Sequence, residues 1–251
     1  VRGAVLLAVL ALLGVLTAPA RAMAEPLPDC TAAYDHQLPS WQCSARSSDA
    51  NHLQVVVSLA GRASTSPVYS QSTVKLLTSV SDSRAIYEGR AIGPPHWADI
   101  DRVGLDELLL PVSAGTGGTG GTVWRVWHQA DRDRILVDAG ELFGKTITVS
   151  DEGYIVDVSP GNGYGGAGFH RFDEGRLHTY AKVEWNDRSG TFECALARLP
   201  DGTAHADLSV LNMDEVQARD HFCGEAGRLL GATFTEPVGD SPAPLPPIPG
   251  R

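Results

Sequence analysis

Eight histidines, thirty carboxylates and two glycine-rich segments are the residues of this chain whose types and spacing could do chemistry. The histidines contain no H-E-x-x-H or H-x-H spacing, so none is marked as a metal ligand by local sequence. One pair stands out by expected geometry. If Asp173-Glu174-Gly175 forms a three-residue hairpin loop, with glycine at its left-handed position, His170 and His178 face each other across two strands. Cβ atoms about 5 Å apart would suit zinc or copper with a third ligand from elsewhere. The alternative is two half-exposed rings on a polar sheet face, and a two-residue loop would put the histidines on opposite faces. The serine-hydrolase signal fails, because Pro111-Val112-Ser113-Ala114-Gly115 lacks the first glycine of G-x-S-x-G and leads into no helix. Paired carboxylates for glycoside hydrolysis are set by separations of about 5–9 Å in space, which acidic content alone does not reveal.

Gly161-Asn162-Gly163-Tyr164-Gly165-Gly166 formally matches G-x-G-x-x-G, but strand-like residues follow it, and no helix N-terminus is available to hold a pyrophosphate. The second segment, Gly115 to Gly121, has no lysine and no phosphate-loop spacing. Both fit the rim of a binding site better. Glycine lets a ligand approach the backbone closely, and Trp124, Trp127, Tyr164 and His170 flank these loops as candidate ligand-binding residues. The competing role for the tryptophans is core packing.

The segment Ala98-Asp99-Ile100-Asp101-Arg102-Val103-Gly104-Leu105-Asp106-Glu107, followed by Leu108-Leu109-Leu110, resembles the loop and strand of FG-GAP repeats, the calcium-loop units of integrin-type β-propellers. Asp99, Asp101, Gly104 and Glu107 take the first, third, sixth and ninth places of that pattern. Arg102 replaces a usual glycine, and Val103 stands where the central carboxylate belongs. The match spans residues 99–107 with no second good copy. The resemblance implies a β-meander carrying one weak calcium loop, with Asp99, Asp101, Glu107 and the Leu105 carbonyl as ligands. Affinity is expected at about 10⁻⁴–10⁻³ M, and no other cofactor is implied. The alternative is a turn in which the aspartates accept local backbone N–H bonds.

The elements that must position these groups are mostly strands. Short β-type runs separated by Gly, Asp, Asn and Pro recur about every ten residues, with no crossover helices between them. Strands are expected at 53–60, 74–80, 84–88, 107–112, 123–129, 134–138, 145–149, 154–158, 168–172, 176–185, 191–199 and 204–211. Asp201-Gly202 is expected to turn the last pair. One helix is expected over 213–230, with Asp214 and Glu215 in its first turn and Gly231 after its last. The predicted fold class is mainly β, an antiparallel meander (propeller-blade-like or sandwich) with one C-terminal helix packed on the sheet.

Residues 1–24 read as a secretory signal: Arg2, an apolar run, and a small-residue stretch ending Ala22-Met23-Ala24. Residues 25–235 then form a single β-rich domain, and the proline-rich 236–251 a tail with no fold of its own. Removing Arg2 and Arg21 from 20 basic residues leaves about 12 more acidic than basic ones, which disfavours nucleic acid as a partner. After signal cleavage no span for a membrane remains. Export favours disulfides, and locality pairs Cys30 with Cys43 and Cys194 with Cys223. The expected function is an exported, non-enzymatic β-domain that binds an extracellular or periplasmic ligand or protein. The alternative is a secreted hydrolase of envelope glycan or peptide.

Overall fold

The computed structural model describes residues 27–31, 40–62, 72–77, 85–115, 121–130, 135–186 and 192–234. The expected signal and the proline-rich tail lie outside them. Thirteen strands among the described residues form three consecutive antiparallel meanders. The first sheet holds β1 (Ser40–Arg46), β2 (Gln54–Arg62), β3 (Ser72–Leu77) and β4 (Tyr87–Ala91) in that order. The second holds β5 (His96–Ala98), β6 (Glu107–Ala114), β7 (Thr122–Ala130) and β8 (Ile135–Gly144). The third runs from β9 (Thr146–Val149) through β10 (Ile155–Pro160), β11 (Tyr164–Asp173) and β12 (Arg176–Asn186) to β13 (Glu193–Leu196). A short turn of helix, α1 (Leu208–Leu211), precedes α2 (Glu215–Phe234). The mainly β meander with a C-terminal helix against the sheet is therefore what the chain forms.

Three cores hold the layers together. Leu108, Leu110 and Trp127 of the second sheet meet Val55, Val57 and Leu76 of the first. On the opposite face, Leu109, Val126 and Leu142 meet Ile155, Phe172 and Leu177 of the third. The run Leu108-Leu109-Leu110 is apolar without alternation because β6 is buried on both faces, where alternation would place a polar side chain in a core. The far face of the third sheet, Val156, Phe169 and Val183, packs on Ala218, Phe222, Ala226 and Leu230 of α2. Phe222 is fully buried, and a side chain of its size stabilises by about 1.5–3 kcal/mol on leaving water.

The helix starts at a reciprocal cap: Asp214 accepts from the Gln217 N–H at 2.8 Å, and Gln217 accepts from the Asp214 N–H at 2.9 Å. It continues through Gly231 to Phe234, because the packing of Leu230 outweighs the stop signal that glycine supplies. Both disulfides join the expected partners, Cys30 to Cys43 and Cys194 on β13 to Cys223 on α2. Among the described residues no helix is long and apolar enough to cross a membrane.

Other expectations are corrected. Strands β1 and β5 were not legible, one having no β-branched residue and the other being only three residues long. Residues 204–211 form two isolated bridges and then α1 in place of a strand. The β11–β12 hairpin turns on two residues, Glu174 and Gly175, with φ of 46° and 77°. Two successive positive φ values match the strand twist, and this turn pairs Arg171 with His178 and His170 with Thr179, before a bulge at residues 169/170 shifts the register.

Candidate functional site

The segment read as a glycine loop is half turn and half strand: Gly161-Asn162-Gly163 connect β10 to β11, with Gly163 at a φ of 75°, whereas Tyr164, Gly165 and Gly166 open β11, which lies between β10 and β12. Packing requires this composition. A Cβ on Gly165 would come within 2.4 Å of the Trp185 ring, and one on Gly168 within 2.5 Å of His170 Nε2 and 2.6 Å of Asp157 Oδ1. Gly165 makes room for Trp185 on the α2 side, whereas Gly166 and Gly168 keep the face turned away from α2 low, and a cleft of about 430 Å³ opens over it. Asp157, Ser159, Lys182 and Glu184 line this cleft, with Tyr164 and Phe143 as its aromatic walls. Phe143 is 39% exposed and presents an apolar surface to the opening.

The second glycine segment reaches the same place. A Cβ on Gly115 or Gly121 would strike the Phe143 ring at 2.6 and 2.9 Å, and the Gly115 N–H donates to the Gly121 carbonyl at 2.6 Å, closing the neck of that loop. Residues 116–120 lie outside the described residues. The Gly115–Gly121 neck thus abuts Phe143, and Phe143 lines the same cleft as the β11 glycines.

Beneath the floor, His170 Nε2 lies 3.1 Å from Asp157 Oδ2, and His170 Nδ1 lies 3.1 Å from Thr179 Oγ1. Asp157 also accepts from the Gly168 and Phe143 N–H groups, at 2.8 and 3.0 Å. His170 is only 3% exposed, so this network clamps β8, β10, β11 and β12 together and does not present the imidazole to a ligand. His178 points elsewhere, 3.1 Å from Asp207 at the N-cap of α1. The facing-histidine pair does not form. Trp127 is 2% exposed in the core between the first two sheets, and Trp124 stacks edge-on to His96 beside the second core. Of the four expected ligand-binding residues, only Tyr164 lines the cleft.

A second cluster occupies the 99–107 loop. Gly104 takes a φ of 89° and Arg102 one of 63°. The turn is built by its own carboxylates, with Asp99 accepting from the Gly104 N–H at 3.0 Å and Asp101 from the Val103 N–H at 3.1 Å. Val103 is 64% exposed, and Leu105 is half-buried in the same loop. Glu107 is fully buried, accepting from the Ile100 N–H at 3.0 Å and lying 3.1 Å from His128 Nδ1 on β7. Burial pushes its carboxyl up to about 7, against the His128 hydrogen bond that favours the charged form. Burial also raises Asp101, against the Val103 N–H. Asp101, Glu107 and His128 bring one ligand atom each to within 4.8 Å of one another. Asp106 turns the other way, accepting from the Ser48 N–H and hydroxyl and the Asp49 N–H of the β1–β2 turn.

The sequence reading missed His128 here and Phe143, Asp157, Ser159, Lys182 and Glu184 at the cleft. A period-two signal was present for the last pair, since Lys182 and Glu184 alternate with buried Val183 and Trp185. No family model, curated protein or solved structure matches the chain.

Proposed function

We propose that this chain is an exported β-domain that binds a compact extracellular ligand, one or two sugar rings, in the cleft above β11. The cleft itself, with a glycine floor on β11 and an exposed Phe143 lip that the Gly115–Gly121 neck abuts, carries the reading. Its size falls in the range of about 300–1,000 Å³ typical of small-molecule sites. A sugar has an apolar ring face for Tyr164 or Phe143 and hydroxyls for Ser159, Lys182 and Glu184. An extended peptide is disfavoured, since β11 is an inner strand whose backbone groups are taken up by β10 and β12, leaving no edge to add a strand to.

Binding without turnover is supported by the state of Asp157 and His170. Asp157 already accepts two backbone N–H bonds, and its histidine is buried, so neither is placed to move a proton at a substrate. The two disulfides fit an oxidising compartment, and with the N-terminal signal pattern they support export.

Calorimetric titration of the intact protein with a panel of neutral and N-acetylated oligosaccharides tests the reading. At least one should bind, Tyr164→Ala should weaken it, and the sugar should be recovered intact. Cleavage of the sugar would establish the hydrolase alternative. Silence across the panel at millimolar concentration would remove the sugar reading.

A further inference from the structure

The geometry points to a second site, independent of the cleft: a centre for a divalent transition-metal ion of the zinc type, held by His128, Glu107 and Asp101. Along β11, Phe172, which stacks on His128, is six residues beyond Gly166, about 20 Å at strand spacing, so this site and the cleft lie at opposite ends of one inter-sheet seam.

The placement follows from the hairpin register. Leu108 pairs with Trp127, so Glu107 and His128 are the next cross-strand neighbours, on the sheet face that meets the third sheet. Asp101 folds back over them from the loop tip. The three donor atoms, one nitrogen and two oxygens, lie within 4.8 Å of one another, a spread that small side-chain shifts bring to coordination distance at about 2.0–2.2 Å from one ion. Phe172 stacks on His128 at 4.0 Å and limits how the ring can turn.

Two observations call for a cation there. Glu107 is fully buried beside Asp101, two carboxylates with a single imidazole between them, and the nearest guanidinium in the loop, Arg102, donates instead to the Val149 carbonyl. A bound cation would take the place of the protons that otherwise neutralise such buried carboxylates. In addition, Asp99 Oδ1, a buried oxygen on the carboxylate beside Asp101, has no hydrogen-bond donor among the described residues. The imidazole decides the class of ion. Calcium takes six to eight oxygens, whereas a mixed imidazole and carboxylate set with room for water suits zinc and its neighbours. This differs from the calcium loop that the FG-GAP resemblance implies, which has no place for His128 and uses the Leu105 carbonyl.

The test is calorimetric titration of the intact, chelator-treated protein with Zn²⁺ and separately with Ca²⁺. One Zn²⁺ per chain is expected, bound more tightly than Ca²⁺. His128→Ala should weaken it by more than the roughly 10–100-fold typical of losing a supporting hydrogen bond, and Ca²⁺ affinity should not follow. A readout on the unmutated protein guards against variants that fail to fold: Zn²⁺ should shift the ring ¹⁵N resonances of His128 and of no other histidine. No Zn²⁺ binding at millimolar concentration, Zn²⁺ that shifts other rings and leaves His128 unmoved, or a site that prefers Ca²⁺ and survives His128→Ala would each overturn the proposal.

Discussion

Replacing Gly168 with alanine adds one methyl group at a point where the fold has no space for it. The new Cβ would lie 2.5 Å from His170 Nε2 and 2.6 Å from Asp157 Oδ1, both inside the closest distance real side chains tolerate. Neither neighbour is a loose end. His170 is held between Thr179 and Asp157, and Asp157 between two backbone N–H groups, so relief requires the His170–Asp157 contact to open. Overpacking alone costs about 1–3 kcal/mol, and opening a buried ionisable pair approaches the about 3–5 kcal/mol seen when one partner is removed. Because the ring is displaced and not deleted, about 3 kcal/mol is the expected loss. At about 2–4 °C per kcal/mol for a chain of this size, Tm should fall by about 6–12 °C. Gly224 provides the control: it lies in α2, and a Cβ there meets nothing within 4 Å. Gly224→Ala should therefore stabilise, by up to about 1 kcal/mol from helix propensity. Thermal and guanidinium unfolding followed by circular dichroism reads both. A Gly168→Ala variant as stable as the parent would refute the clamp beneath the cleft.

Trp127→Ala should cost about 3–5 kcal/mol, as large core truncations do, yet leave ligand affinity in the folded fraction unchanged, which unfolding curves and titration can separate. Reduction should add four hydrogens to the intact mass. In the chain-entropy model, loss of Cys194–Cys223, with its separation of 29, should cost about 3.6 kcal/mol, against about 2.9 for Cys30–Cys43, with its separation of 13. Burial would raise the Asp49 carboxyl, but N–H bonds from Asp106, Asn51 and Gln129 hold it below its ordinary value of 3.8. Its contribution is therefore present above the unfolded pKa and lost as pH falls through the lower folded one. An acid titration of stability should lose part of its slope in Asp49→Asn.

The strands with strong β-branched or apolar character were legible, because β6 and β10 are buried over five successive residues and β12 alternates buried Ala181, Val183 and Trp185 with more exposed neighbours. What sequence could not supply was register. His128 meets Glu107 only because of how β6 and β7 pair across a glycine-rich connection, and no local pattern fixes that pairing. The β11 glycines mislead for a physical reason: they sit in a strand since Trp185, His170 and Asp157 crowd it, and that crowding comes from distant residues. A two-residue turn where three were expected likewise moved His178 away from His170. The disulfides were readable from locality, and the Asp214–Gln217 cap was present as D-x-x-Q but passed over.

If ligand binds in the cleft over β11, backbone amide resonances followed during an oligosaccharide titration will map it. Shifts should be confined to Tyr164, Gly166, Gly168, Ser159, Lys182 and Phe143, and be lost in Gly166→Val, whose side chain would be driven toward the Val183 carbonyl. Shifts centred on any other surface, with those amides unmoved, would contradict it.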